Sequence, residues 1–236
     1  MPAGAWLDCG RSSGLPHGPA ECRAVPDRTP GLSWASVACS SLEREDRSAA
    51  LIIASDAGRG FSGPKYLARQ RKVPLLQGVL SDAHSWPVDE VFVVLGADAE
   101  AVLRGVDFGS SVIVIDPEWA EGDAASLRVG LDALSRDRSM RLAVLARGDQ
   151  LGVDAEMVQR LLDERLAARA VVAVPKYRYA RGWPIVVAED LWPRLMGLEG
   201  DVDIQNVLAG HPAGVVECWF DRLAPPRIED GADLGR

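Results

Sequence analysis

From residue 49 onward, short runs of β-branched and apolar residues alternate with stretches whose apolar positions recur at helical spacing. Residues 50–54 (ALIIA), 90–95 (EVFVVL), 112–115 (VIVI), 142–146 (LAVLA), 171–174 (VVAV), 184–187 (PIVV) and 215–218 (VVEC) have the length and composition of strands. The clearest helical stretch is 154–168. There Met157, Val158, Leu161, Leu162, Leu166 and Ala167 share a face, and Asp154 is placed to cap the N-terminus. This alternation predicts an α/β fold: a mostly parallel sheet with helices on both faces, residues 49–236 forming one domain. The first 48 residues show no such period. Crowded with Gly, Pro and Ser, they are expected to be a disordered or loosely attached extension.

Composition narrows the classes of partner. A chain of 236 residues with 47% hydrophobic content has enough apolar material for a full core. Its net charge of −8 and lack of any Lys/Arg cluster argue against nucleic acid or an anionic membrane as the main partner. No apolar run approaches the roughly 20 residues a spanning helix needs, and the N-terminus has no signal-peptide pattern, so a cytoplasmic protein is expected. Cys9, Cys22, Cys39 and Cys218 have no paired spacing and read as free thiols. His17, His84 and His211 are isolated, and Trp86, Trp192 and Trp219 beside apolar runs read as packing residues.

Candidate chemistry gathers at the carboxyl ends of three expected strands, where ligands of open α/β sheets sit. The first strand empties into SDAGRGFSGPK, in which Gly58, Gly60 and Gly63 free the backbone to turn N–H groups around an anion, and Lys65 supplies a point charge. The run 116–134 leaves the VIVI strand through a polar turn and enters a helix near Ala125, which points the Ser126 hydroxyl toward the cleft. In LARGDQLGVD, Asp149 lies just past a strand end, where a nucleotide-bound Mg²⁺ would find a hard oxygen ligand.

These segments together resemble the MobA-like nucleotidyltransferases, and among them the molybdenum cofactor cytidylyltransferases, whose first loop is close to LAAGxGxRMGxxK. The resemblance takes in residues 53–65, 73–80, 91–102, 116–131 (DPEWAEGDAASLRVGL), 148–150 (GDQ), 181–187 (RGWPIVV) and 198–208 (LEGDVDIQNVL). It implies a Rossmann-like three-layer sandwich of the nucleotide-diphospho-sugar transferase type, Mg²⁺, a CTP or GTP donor and molybdopterin as acceptor. Lys65, with Arg59, would then be catalytic, and Ala54, Ser55, Gly58 and Lys65 would hold the nucleotide. Ser126, Gly182 and Trp183 would face the acceptor, with Trp119 and Trp183 flanking it, and Asp149 and Glu229 would hold the metal. This chain departs from the family's pattern at several positions. The first loop glycine is Asp56, the loop arginine is Gly60 with Arg59 one place away, and the final acidic motif reads RIEDGADL at 227–234. Two readings follow: a working cytidylyltransferase in which Arg59 substitutes for the missing arginine, or an impaired relative that binds a nucleotide or a partner, such as a molybdoenzyme or its chaperone.

Overall fold

The structure is a computed structural model and describes residues 47–58, 60–200, 204, 208 and 214–235. Its central strand, β1 (Arg47–Ala54), is buried at every position after Arg47. The two edges of β1 are paired in parallel with β4 (Glu90–Leu95) and β6 (Met140–Arg147). Its start is fixed by Arg47, whose guanidinium donates to Glu90 at 2.6 Å and Asp137 at 2.8 Å. The strand therefore begins ahead of the apolar run. β5 (Val112–Ile115) continues the sheet beyond β4, while β8 (Ile185–Ala188), β7 (Val172–Lys176) and β9 (Val215–Trp219) follow β6, giving the order β5-β4-β1-β6-β8-β7-β9. All pairings are parallel except those of β8, which runs against both β6 and β7. A two-stranded hairpin, β2 (Arg69–Gln70) with β3 (Val73–Pro74), stands apart from the main sheet.

Two cores follow from the period of two along β1. Ala50, Ile52 and Ala54 pack with α1 (Leu75–Ala83), α2 (Ala99–Gly105) and α4 (Ala155–Ala168), whereas Ala49, Leu51 and Ile53 pack with α3 (Asp123–Ser135) and α5 (Trp192–Met196). The result is a helix–sheet–helix sandwich, as expected. α3 lies so close to the sheet that a Cβ on Gly130 would come within 2.7 Å of Leu51 and 2.9 Å of Val94. On α4, Asp154 accepts from the Met157 amide at 2.8 Å as the anticipated cap, and Met157, Val158 and Leu161 are buried. Leu166, expected on that face, is 69% exposed. Trp86 and Trp192 are buried, but Trp219 stands 61% exposed at the β9 edge beneath the Lys176 ammonium. Cys218 is a buried free thiol, its pKa pushed up to about 12 by burial and by hydrogen bonding to Glu164. Residues 1–46 lie outside the described residues, and with them nearly all of the expected extension.

Candidate active site

The order of the sheet puts a topological switch at β1, because the chain leaves toward β4 on one side and returns to β6 on the other. Backbone bonds extend each strand past its end there. Ala97 donates to Ser55, Asp116 to Leu95 and Gly148 to Ile53, each at 2.8 Å. The segments after β1, β4, β5 and β6 are thus held side by side, and a cleft of about 490 Å³ opens above them. Ser55, Asp56, Gly58, Lys65, Trp119 and Arg227 line it.

Lys65 starts a short 3₁₀ turn (Lys65–Leu67), and its side chain is only 1% exposed. A cation so deeply buried needs partners, and it has two: Asp149 at 2.6 Å and Asp56 at 2.8 Å. Gly58 makes room for it. At a φ of +69° a non-glycine residue is strained, and a Cβ there would lie 2.8 Å from the lysine chain. Asp56 also accepts from the Tyr66 hydroxyl. Burial acts to raise the Asp56 pKa, but the bonds from Lys65 and Tyr66 prevail and hold it below the ordinary value of 3.8. The Tyr66 hydroxyl goes the other way, driven well above 10.0 by burial and by the charges of Asp56 and Asp149.

Asp149 is the hub. It follows β6, its side chain is 3% exposed, and besides Lys65 it accepts from Arg227 Nε at 3.2 Å and 3.0 Å on its two oxygens. Arg227 reaches onward to Glu229 at 2.5 Å. The closing segment is fixed to β6 by the Ile228 amide, which donates to the Asp149 carbonyl at 2.9 Å, and by a bridge between Gln150 and Arg227. Burial lowers the Arg227 pKa less than the charges of Asp149 and Glu229 raise it, so the guanidinium stays charged.

The expected site residues fall into three groups. Ser55, Gly58, Lys65 and Glu229 line the cleft, with Asp149 beneath Lys65 and Ala54 buried at the end of β1. Ser126 does not open on the cleft. It is fully buried and donates to Asp116 at 2.6 Å; its single hydrogen is thereby used, so it accepts from Ser55 at 2.7 Å. It braces the start of the glycine loop from below. Gly182 and Trp183 do not line that cleft, although Asp123 belongs both to it and to the pocket that holds Trp183. Gly182 packs against the Tyr177 ring, where a Cβ would approach to 2.6 Å, and Trp183 lies 4.9 Å under the Arg147 guanidinium beside Asp123 and Ile204. Arg59 lies outside the described residues. Arg227, Tyr66 and Asp116 are site residues that sequence reasoning missed. Only the acid-to-arginine change in the closing motif hinted at Arg227.

Whether a divalent metal suits these side chains is decided at Asp149. Both of its oxygens already hold cations. A metal on either oxygen would have to sit beside Lys65 and Arg227, and like charges about 4 Å apart repel by roughly 4 kcal/mol at an effective dielectric of about 20. Glu229, the other expected ligand, is itself bound to Arg227. Among the described residues, no three His, Cys, Asp or Glu side chains converge as a metal site would require. As arranged, these residues do not fit a metal unless Arg227 leaves.

A switch-point cleft with a glycine loop over a buried lysine defines the ligand site of an open α/β sheet. The chain belongs to the MobA-like NTP transferase domain family, whose model matches residues 50–215. Among characterised proteins it is 28% identical over 177 residues to the nicotine blue oxidoreductase of Paenarthrobacter nicotinovorans, covering 71% of this chain and 85% of that one. Among solved structures, the Rv0371c homologue from Mycobacterium sp. strain JC1 superimposes with a TM-score of 0.73 at 27% identity, over 80% of this chain and 94% of that one. Rv0371c of Mycobacterium tuberculosis, in complex with manganese, gives a TM-score of 0.68 at 23% identity, covering 79% and 95%. The last of these speaks to the fold alone.

Proposed function

We propose that the protein is a nucleotidyltransferase that moves CMP from CTP to the phosphate of molybdopterin, with GTP as the alternative donor. The observation that carries this reading is Lys65, a buried lysine under a glycine loop, reaching a cleft at the carboxyl end of the central strand. In the reaction, an oxygen of the acceptor phosphate forms a bond to the α-phosphorus, and the bond from that phosphorus to the bridging oxygen breaks. The electron pair leaves with pyrophosphate. Lys65 and Arg227 neutralise the charge that grows on the leaving group, and the loop amides around Gly58 hold the phosphates in line. Ser55, braced by Ser126, orients the nucleotide. No step is assigned to Mg²⁺, for the reason found at Asp149.

A second reading rests on the same lysine. Because Asp56 and Asp149 already neutralise it, and because one relative is named as an oxidoreductase, the cleft could serve a bound nucleotide cofactor or a partner protein rather than nucleotidyl transfer. Among the described residues no helix is long and apolar enough to cross a membrane, and a cytoplasmic setting beside a molybdoenzyme or its chaperone suits either reading. Calorimetric titration with CTP and GTP, followed by pyrophosphate release in the presence of molybdopterin, tests them. Release that Lys65→Ala reduces at least a hundredfold, in a variant with unchanged circular dichroism, is the expected result. Nucleotide binding without release favours the second reading.

A further inference from the structure

The charges lining the cleft are unbalanced. Among the described residues, Asp56 and Glu229 at its wall and Asp149 beneath it set three carboxylates against two cations, Lys65 and Arg227. The remaining acid, Asp123, is occupied by Arg147 at 3.0 Å. A free nucleoside triphosphate carries about four negative charges at neutral pH and would enter a cleft already one charge negative. Enzymes usually relieve that repulsion with a divalent cation held by carboxylates. Here the carboxylate best placed to hold one is closed on both oxygens by Lys65 and Arg227.

Arg227 is held the way an anion-binding arginine needs to be. Its Nε is locked on a buried carboxylate, and one terminal nitrogen is held by Glu229, whose side chain is 63% exposed and free to swing into water. A guanidinium has five N–H donors, and these two contacts use two, so the rest are left to a phosphate in a fixed fork. The arginine is itself 35% exposed and lines the cleft, so an incoming oxyanion reaches it by displacing Glu229 alone.

We propose that Arg227, clamped on Asp149, takes the place of a divalent cation, and that the cleft binds a pyrophosphate diester without metal in preference to a triphosphate. A diester of pyrophosphate brings two negative charges where a triphosphate brings four, and once Glu229 has turned outward Asp56 and Asp149 balance Lys65 and Arg227, so the diester leaves the smaller uncompensated charge in the cleft. Such a ligand is the product of the proposed transfer, a pterin–cytidine dinucleotide, or else a dinucleotide redox cofactor; the two share one chemistry. The inference therefore rests on the nucleotide reading of the cleft but not on which reaction follows.

The test is calorimetry on the full chain with NADH, CDP-choline and CTP as probes, each in 1 mM EDTA and in 5 mM Mg²⁺, for the wild type and for Arg227→Met and Arg227→Lys. CDP-choline stands for the cytidine diesters and NADH for the redox dinucleotides, so their relative affinities assign the source. At least one diester should bind at least tenfold tighter than CTP, with a Kd that EDTA changes by less than twofold. Arg227→Met should weaken that diester at least tenfold, and Arg227→Lys, which keeps the charge but loses the fork, should recover only part. CTP binding that is tightest of the three and lost in EDTA overturns the inference while leaving the nucleotidyltransferase reading intact. If no probe binds, both fall.

Discussion

At the scale of single residues, the chain places its charges where they cost most and then pairs them. Removing one partner is correspondingly severe. Asp149→Ala leaves Lys65 buried with a single partly exposed counterion and should lower stability by about 3–5 kcal/mol, read from urea unfolding, whereas Lys65→Met combined with Asp149→Leu should recover most of the loss. Asp56 gives a pH signature. Its folded pKa lies below 3.8, so it stabilises the fold above that pH and loses the contribution as pH falls through the folded value. Asp56→Asn should therefore narrow its Tm gap from the wild type between pH 5 and pH 2.5; a constant gap would show that its pairing with Lys65 and Tyr66 does not survive in solution. Of these residues, Lys65 and Asp149 were legible in the sequence because Lys65 closes the glycine loop that follows an obvious strand and Asp149 sits just past the end of another. Arg227 was not, because its meaning comes from a contact across 78 positions.

Among the elements, hydrophobic period predicted most strands to within a residue or two, since a buried strand in a helix-covered sheet must be a continuous apolar run. Direction and edge position left no such mark. β8 reads like its neighbours yet runs antiparallel, and β5 reads like a core strand although Val112, Ile113 and Ile115 are 42%, 38% and 47% exposed. Four apolar β-branched residues on an edge that no other described strand covers invite strand addition. Ile113→Lys should raise the concentration at which light scattering first detects aggregates, with little change in Tm. At the other kind of boundary the sequence was sufficient: Asp154→Ala removes the cap of α4 and should cost about 1 kcal/mol in chemical denaturation.

For the molecule as a whole, protection from solvent should follow the order of the sheet. Amide exchange followed by mass spectrometry should find β1 and β6 slowest, β5 and β9 fastest; rapid exchange in β1 would contradict the central place given to it. The rim of the cleft, by contrast, depends on the segment 225–229, pinned just past the end of β6 through Asp149 and Gln150. The match to the family ends at residue 215, before that segment begins. Synthesis on the ribosome proceeds in the same direction, so a nascent chain meets Lys65 and Asp149 first and completes its anion-binding fork only when residue 227 clears the exit tunnel. The fork is then added after the sheet it sits on, and a chain truncated by a premature stop near residue 220 would carry the sheet without the fork at its rim.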